Sequence, residues 1–196
     1  MTSTTTTIQS IPLAAYDHDV YRRVTKPSLH AALADFHSLN AMHHINTSIR
    51  DCFLRHGAEK SFTACINHRH FDLSPSERNI EEPDGRAFAS SNLANIQPCS
   101  WLFHEGKLYP YEFKRGEEGG KEEGVEPPAG FVSELGAILA EKGLCDVIGL
   151  QAYDEGVVGM ESTDREKRTS ITKSYPEGKE EFDNGKKSVV ASFAFF

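Results

Sequence analysis

The stretch from 61 to 72, Ser-Phe-Thr-Ala-Cys-Ile-Asn-His-Arg-His-Phe-Asp, most constrains what this chain can fold into. It reads as a β-strand that carries two histidines two residues apart. Because side chains alternate between the two faces of a strand, His68 and His70 are predicted to continue the apolar face of Phe62, Ala64 and Ile66. Neighbouring positions on one face lie roughly 6.5–7 Å apart. Both imidazoles are therefore predicted to point into the interior, close enough to share a ligand.

The order of the remaining predicted elements indicates an α+β fold. Helices are predicted at 28–40, 46–56 and 128–142 from their helical stripes, from the prolines at their starts and from the glycines at their ends. Further strands are predicted at 78–82, 99–104, 108–114, 145–153, 157–161, 168–173 and 188–195. Hairpin-linked strands favour a mainly antiparallel sheet, and we expect about three helices to pack on one of its faces.

One domain is predicted after a polar start. Residues 1–26 form a polar tail and an arm, and residues 27–196 form a single α+β domain. Within it, 83–98 is rich in Pro, Gly, Ser and Asn and is expected to be a long irregular connection. The glycine- and glutamate-rich stretch 115–126 has too little apolar surface to order itself, which predicts a mobile acidic loop.

The strands at 99–104 and 108–114 form the best predicted hairpin, with Gly106-Lys107 as its two-residue turn. This turn sets His104 opposite Tyr109, Leu102 opposite Tyr111 and Ser100 opposite Phe113. Pro110 cannot donate a hydrogen bond to a neighbouring strand, so its strand is predicted to lie at an edge or to be bulged.

Composition limits the partners. The formal net charge is -8, which argues against nucleic acid and against anionic membrane surfaces. No run approaches the roughly 20 apolar residues of a membrane span, and the threonine-rich start lacks the features of a signal peptide. The four cysteines are widely spaced and are expected to be reduced thiols. These features predict a cytoplasmic protein.

The histidine pair allows three interpretations. A catalytic zinc or iron usually takes three protein ligands, and His68, His70 and His104 are the candidates. Glu77, Asp72 or Glu112 could replace or supplement His104. Without a metal, His68 and His70 could act as a catalytic acid and base, because imidazole titrates near neutrality. The third interpretation is structural: one histidine hydrogen-bonds in the core while the other lines a pocket. Which divalent metal or other cofactor is used, if any, stays open.

Other candidate binding residues are Arg69, Tyr109 and Tyr111. Arg69 shares its predicted face with Asn67 and Cys65, and it is a candidate for anion binding or for pairing with an acidic group. The aromatic residues of the hairpin occupy both of its faces, which exceeds what one core requires. A pocket wall or a self-association surface would explain the excess. Cys65 is the one conceivable nucleophile, but it lies on the face opposite His68.

The segment His68-Arg69-His70-Phe71, preceded by Ala64-Cys65-Ile66 and followed by Asp72 and Glu77, resembles a stretch found in uncharacterised fungal proteins. The resemblance implies a fungal source and carries no activity. From the residues we expect a small-molecule pocket lined by His68 and His70, used in a lyase, isomerase or hydrolase step with histidine acid–base or metal chemistry. The alternative is a non-catalytic interaction protein that forms a homodimer through the aromatic hairpin 99–114.

Overall fold

A computed structural model of the chain describes residues 11–116, 125–153, 159–174 and 191–195. Its helices are α1 His18–Val24, α2 Leu29–Ser38, α3 Ala41–His44, α4 Arg50–His56 and α5 Ala129–Lys142. Its strands are β1 Phe62–Ile66, β2 Arg78–Glu81, β3 Arg86–Ser90, β4 Ile96–His104, β5 Lys107–Arg115, β6 Ile148–Ala152, β7 Gly159–Asp164, β8 Thr169–Ser174 and β9 Ser192–Phe193. The predicted α+β class with a mostly antiparallel sheet is confirmed.

The nine strands form one sheet in the order β7-β8-β3-β2-β5-β4-β6-β1-β9. Among the described strands, the pair β2–β5 is parallel and every other pair is antiparallel. Strand β3 falls inside 83–98, so the prediction of an irregular connection there is wrong. Its residues alternate poorly, but β3 is hydrogen-bonded to β2 on one side and to β8 on the other. The hydrogen bonds to these two neighbouring strands stabilise β3 although its own residues give a weak strand pattern.

The helices before β1 differ from the prediction in two ways: α1 was not predicted, and the helical segment predicted at 46–56 begins at Ala41. Helix α1 lies in the expected arm, and Asp17 caps it by accepting hydrogen bonds from the backbone of Asp19 and Val20. Helices α3 and α4 are joined by a π-helical turn, Ile45–Ile49, into one helical rod over 41–56. Asn40, with φ of 50°, separates this rod from α2, and Gly57, with φ of 62°, ends it.

The predicted hairpin exists, but its register differs by two residues. The turn is Glu105-Gly106, with φ of 46° and 71°, as a type I′ turn requires at both central positions. His104 therefore pairs with Lys107, and Leu102 pairs with Tyr109 rather than with Tyr111. The strand of Pro110 is bulged, as predicted, and lies in the middle of the sheet rather than at its edge.

Strand β1 is shorter than the predicted strand 61–72. The backbone of Asn67 still donates to Val147 beside β6, but the amide of Arg69 donates to the carbonyl of Lys26, between α1 and α2. The chain thus leaves the sheet at Asn67, and His68 keeps only an isolated bridge to Lys26. The histidine pair lies in the segment that follows β1, not in the strand itself.

Two apolar cores lie against the sheet. The first joins residues of α2 to α5 to the side chains of Phe62, Ala64 and Ile66 in β1. The second joins α1 to Phe71, Leu73 and residues of the hairpin. Residues 117–124 of the predicted acidic loop, and residues 188–190 of the predicted strand 188–195, lie outside the described residues. Within the described ranges, no helix has the length and apolar character that crossing a bilayer requires.

Candidate acid–base site

His70 is held between two polar side chains in the interior of the sheet. Its side chain is 7% exposed, and its Nε2 lies 3.1 Å from Oε1 of Glu112. Its Nδ1 lies 3.2 Å from the hydroxyl oxygen of Thr163 on β7. A carboxylate beside an imidazole favours the protonated ring and fixes its orientation. The three groups are therefore arranged in a row, carboxylate, imidazole and hydroxyl, along which a proton can be held or passed.

Glu112 is a largely buried carboxylate that accepts several hydrogen bonds. Besides His70, the amide Nδ2 of Asn79 donates to its Oε1 at 3.1 Å, and the hydroxyl of Ser100 donates to its Oε2 at 3.0 Å. Burial raises the pKa of Glu112, but the hydrogen bond from His70, the charges of His70 and His68 and the bond from Ser100 outweigh it. The pKa consequently lies below the usual glutamate value, and Glu112 is ionised at neutral pH.

Two β-bulges flank the position of Glu112. Residue Ser100 pairs with Glu112, whereas Trp101 pairs with Pro110 and Pro98 pairs with Phe113. One residue is left unpaired on each strand, Tyr111 on β5 and Cys99 on β4. A bulge turns the following side chains away from strict alternation. This local irregularity explains how Glu112 and its neighbour Tyr111 both reach the interior.

A polar cavity of about 50 Å³ lies beside this row of groups. Its polar lining includes His70, Glu112, Asn79, Glu81, Gln151 and Ser170. Asn79 is 5% exposed, and its Oδ1 has no hydrogen-bond partner among the described residues. Buried polar atoms are nearly always paired, so this acceptor is a natural place for a bound molecule to donate a hydrogen bond.

His68 lies next to His70 but plays a different part. The two ring centroids are 4.7 Å apart with the rings nearly perpendicular. The Nδ1 of His68 lies 2.9 Å from the carbonyl oxygen of Ile66, so this nitrogen carries the proton and donates it. His68 is half-buried, and it contributes positive charge near Glu112 when protonated. The two predicted histidines thus lie in contact, with His70 buried and His68 half-buried.

His104 is not brought to the pair. Its Nε2 accepts a hydrogen bond from Arg23 at 2.9 Å, and its Nδ1 lies 3.8 Å from Asp146. Within the described ranges, the nitrogens of His68, His70 and His104 do not form a group within 4.8 Å of one another. The three imidazoles therefore do not converge in this structure: His104 lies next to the hairpin turn, and Glu112 lies beside His70.

Arg69, Tyr109 and Tyr111 have structural partners. Arg69 donates to the carbonyls of Arg22 and Thr25 and pairs with Asp72 at 2.9 Å, which anchors the histidine segment to the end of α1. Tyr111 is buried in the second core with its hydroxyl 3.8 Å from the thiol of Cys65, and Tyr109 packs against the same core. These three residues shape the surroundings of the site rather than line the cavity.

The aromatic residues of the hairpin are explained by the two cores. Trp101 and Phe103 pack in the first core, Tyr111 packs in the second, and each is at most 3% exposed. Phe113 is 7% exposed and lies against Tyr16. Because one core packs on each set of side chains, the aromatic residues on both faces of the hairpin are buried. The homodimer hypothesis loses the exposed aromatic surface on which it depended.

Cys65 is a poor nucleophile in this environment. Burial raises the pKa of its thiol to about 12, and the hydrogen bond with Tyr111 only partly offsets this. The thiol is therefore protonated at neutral pH, and thiolates are the reactive form of cysteine.

Sequence reasoning missed Thr163, Ser100 and Asn79, and it weighed Glu112 only as a metal ligand. Thr163 is 93 residues from His70, and no local pattern relates the two. A glutamate between Tyr111 and Phe113 in a strand with apolar residues on both faces was the one available signal, since such a carboxylate must find partners.

Comparison of the chain with protein-family models, with curated proteins and with solved structures finds no match. The function must therefore be argued from the site itself.

Proposed function

We propose that the protein is an enzyme of the hydrolase, isomerase or lyase type that uses His70 as a metal-free acid and base on a small polar molecule. The proposal rests above all on one observation: the same polar cavity is lined by His70 and by Asn79, whose Oδ1 has no hydrogen-bond partner among the described residues. A titratable group and a residue with an unsatisfied acceptor on one cavity are what a binding site for a hydrogen-bonding molecule needs.

Each group has a role that follows from its contacts. His70 transfers the proton, and Glu112 stabilises the imidazolium and fixes the ring by its bond to Nε2. Thr163 lies at Nδ1, where its hydroxyl either relays a proton or gives way to a substrate hydroxyl. Asn79 orients the carboxylate through Nδ2 and accepts a hydrogen bond from the substrate through Oδ1.

The charge and size of the cavity narrow the substrate class. Two carboxylates, Glu81 and Glu112, line it, which disfavours an anion and favours a neutral or amine-bearing molecule that donates hydrogen bonds. A water molecule needs about 10–15 Å³ of such space, so a cavity of about 50 Å³ admits a group of only a few heavy atoms. We infer that the hydroxyl, amide or amine end of a molecule enters it.

The test is a ligand screen that reads out His70 directly. Protein labelled with ¹⁵N in its histidine rings is mixed with small neutral and amine-bearing molecules, and the ring nitrogen resonances are followed by NMR. The expected result is that at least one class shifts the His70 signals, raises the melting temperature and is slowly converted. In His70→Gln, binding is lost, and turnover falls about 10²–10⁴-fold.

The matched control is His104→Gln, which removes a histidine that contacts Arg23 and is not among the residues that line the cavity. Binding and turnover should survive in this variant. If no molecule in either class perturbs His70, or if turnover is unchanged in folded His70→Gln, the acid–base proposal is overturned.

A further inference from the structure

A second group of chemically reactive side chains lies between α4 and α5, away from the His70 site. Cys52 and His56 are four residues apart on α4 and so share one face of that helix. Glu134 projects from α5 toward them, and the three ligand-type atoms lie within 4.8 Å of one another. The edge-to-face contact of Phe53 with Phe131, with ring centroids 4.9 Å apart, fixes the two helices in this relation.

We propose that Cys52, His56 and Glu134 form a binding site for a borderline-soft divalent metal ion, Zn²⁺ in the first place. Thiolate, imidazole and carboxylate are the ligands that zinc takes in proteins, at about 2.0–2.3 Å. Three ligands at those distances in a tetrahedral arrangement hold their donor atoms roughly 3.5 Å apart. The three atoms are therefore within a small side-chain adjustment of coordinating one ion.

The hydrogen bonds of Glu134 leave one oxygen for the metal and one for support. His56 Nε2 lies 2.8 Å from Oε2 of Glu134, while Arg55 donates to Oε1. An ion that replaces the proton between His56 and Oε2 leaves the Arg55 bond in place. A ligating carboxylate held by such an outer partner is the usual arrangement of protein metal sites.

The charge balance also favours a divalent ion. Binding deprotonates the thiol, and Zn²⁺ then meets one thiolate and one carboxylate, which makes the ligated group neutral. A neutral group suits a site where Cys52 is fully buried and the Glu134 side chain is 25% exposed. His56, whose side chain is 28% exposed, gives the ion a way in and leaves a fourth position for water.

Nucleophilic catalysis is the competing use of a Cys–His–Glu group, and the environment of the thiol argues against it. Burial and the Glu134 charge raise the pKa of Cys52 to about 12, and the residue has no exposed surface. An electrophilic substrate cannot reach it, whereas a metal ion enters between the helices and lowers the proton affinity of the thiol itself.

The test is a titration of the full-length untagged protein with Co²⁺, which replaces zinc and reports its ligands optically. We expect binding of one ion per chain with a near-ultraviolet thiolate-to-cobalt band, and loss of that band on adding Zn²⁺. Cys52→Ser should abolish the band, while Cys145→Ser, which removes a partly buried thiol elsewhere in the chain, should retain it.

A ligand on the exposed side keeps the test valid if Cys52→Ser does not fold. His56→Gln should weaken Co²⁺ binding by more than about tenfold, since loss of an outer-shell partner alone typically costs 10–100-fold. Binding without the thiolate band, a band that persists in folded Cys52→Ser, or unchanged affinity in His56→Gln overturns the proposal.

Discussion

Among the described residues, the histidine–glutamate pairs His70–Glu112 and His56–Glu134 have similar geometry in different surroundings. His70 and Glu112 are 3.1 Å apart with side chains 7% and 16% exposed, whereas His56 and Glu134 are 2.8 Å apart with side chains 28% and 25% exposed. Both carboxyls have a pKa below the usual value, but for different reasons. At Glu134 the hydrogen bonds of His56 and Arg55 are the main cause and lower the pKa. At Glu112 burial is the largest single effect and raises the pKa, but the hydrogen bond and charge of His70 and the other hydrogen bonds together lower it by more.

The difference shows that the distance between the two side chains does not by itself determine how much such a pair contributes to the stability of the fold. A buried carboxylate that loses a partner leaves other polar groups unpaired in a place that water reaches poorly. A carboxylate that is more exposed can be solvated by water when its partner is removed, so the loss of stability is smaller. The buried pair should therefore be critical to folding and to any proton transfer, and the pair between the helices should be replaceable except where a metal ion uses it.

The largest expected effect is that of Glu112→Ala. It leaves His70, Asn79 and Ser100 without their shared acceptor, and removing one partner of a buried pair typically costs about 3–5 kcal/mol. Glu134→Ala, the matched change in the other pair, should cost about 0–1 kcal/mol. Urea unfolding of both variants measures the free energies, and equal losses would contradict the comparison.

A smaller loss is expected for His70→Gln. The glutamine amide reaches only part of the space of the imidazole, so Glu112 or Thr163 loses a partner at a cost of about 1–3 kcal/mol. His56→Gln should cost less than about 1 kcal/mol, because its partner Glu134 is partly exposed and keeps its hydrogen bond from Arg55. Urea unfolding measures both losses. A larger loss of unfolding free energy in His56→Gln than in His70→Gln would show that the exposure of the pair does not determine its contribution to stability.

Thr163→Val tests the far end of the buried row. Valine keeps the shape of threonine but removes the hydroxyl beside Nδ1 of His70, which should cost about 1 kcal/mol. The neighbouring exposed Ser162→Ala should change stability by less than about 0.5 kcal/mol. The ¹⁵N resonances of His70 should shift in Thr163→Val alone, and their constancy there would remove Thr163 from the site.

The smallest expected effect is on the pH dependence of stability. The folded pKa of Glu112 lies below its usual value of 4.5, so its contribution is present above about pH 4.5 and is lost as pH falls through the lowered value. Glu112→Gln should therefore flatten the fall of unfolding free energy on acidification. Glu77→Gln is the reference for a carboxyl with a lowered pKa, because the hydrogen bonds of Arg168 and Ser74 lower the pKa of Glu77 to about 2. It should flatten the fall of unfolding free energy in the same direction. An unchanged slope in Glu112→Gln would mean that the carboxyl is not ionised in the fold.

Local features of the sequence predicted several elements well. Helix α5 begins after Pro128 and ends at Gly143 because both limits are set by backbone preferences of those residues. The alternating strands predict the hairpin correctly, but the predicted register is wrong by two residues. The turn consists of Glu105 and Gly106, both with positive φ, and not of Gly106 and Lys107. A choice between adjacent turn residues changes every pairing above it.

The sequence by itself determined the α+β class, the limits of helix α5 and the closeness of His68 to His70, because the local pattern of residues is enough for each. The tertiary structure alone decided that β1 ends at Ile66, that two bulges turn Glu112 inward and that Thr163 meets His70. These outcomes depend on hydrogen-bond partners far away in the chain, at Lys26, Ser100 and β7. Buried polar groups take whichever partners the fold brings to them, because leaving them unpaired costs more than bending the strand that carries them.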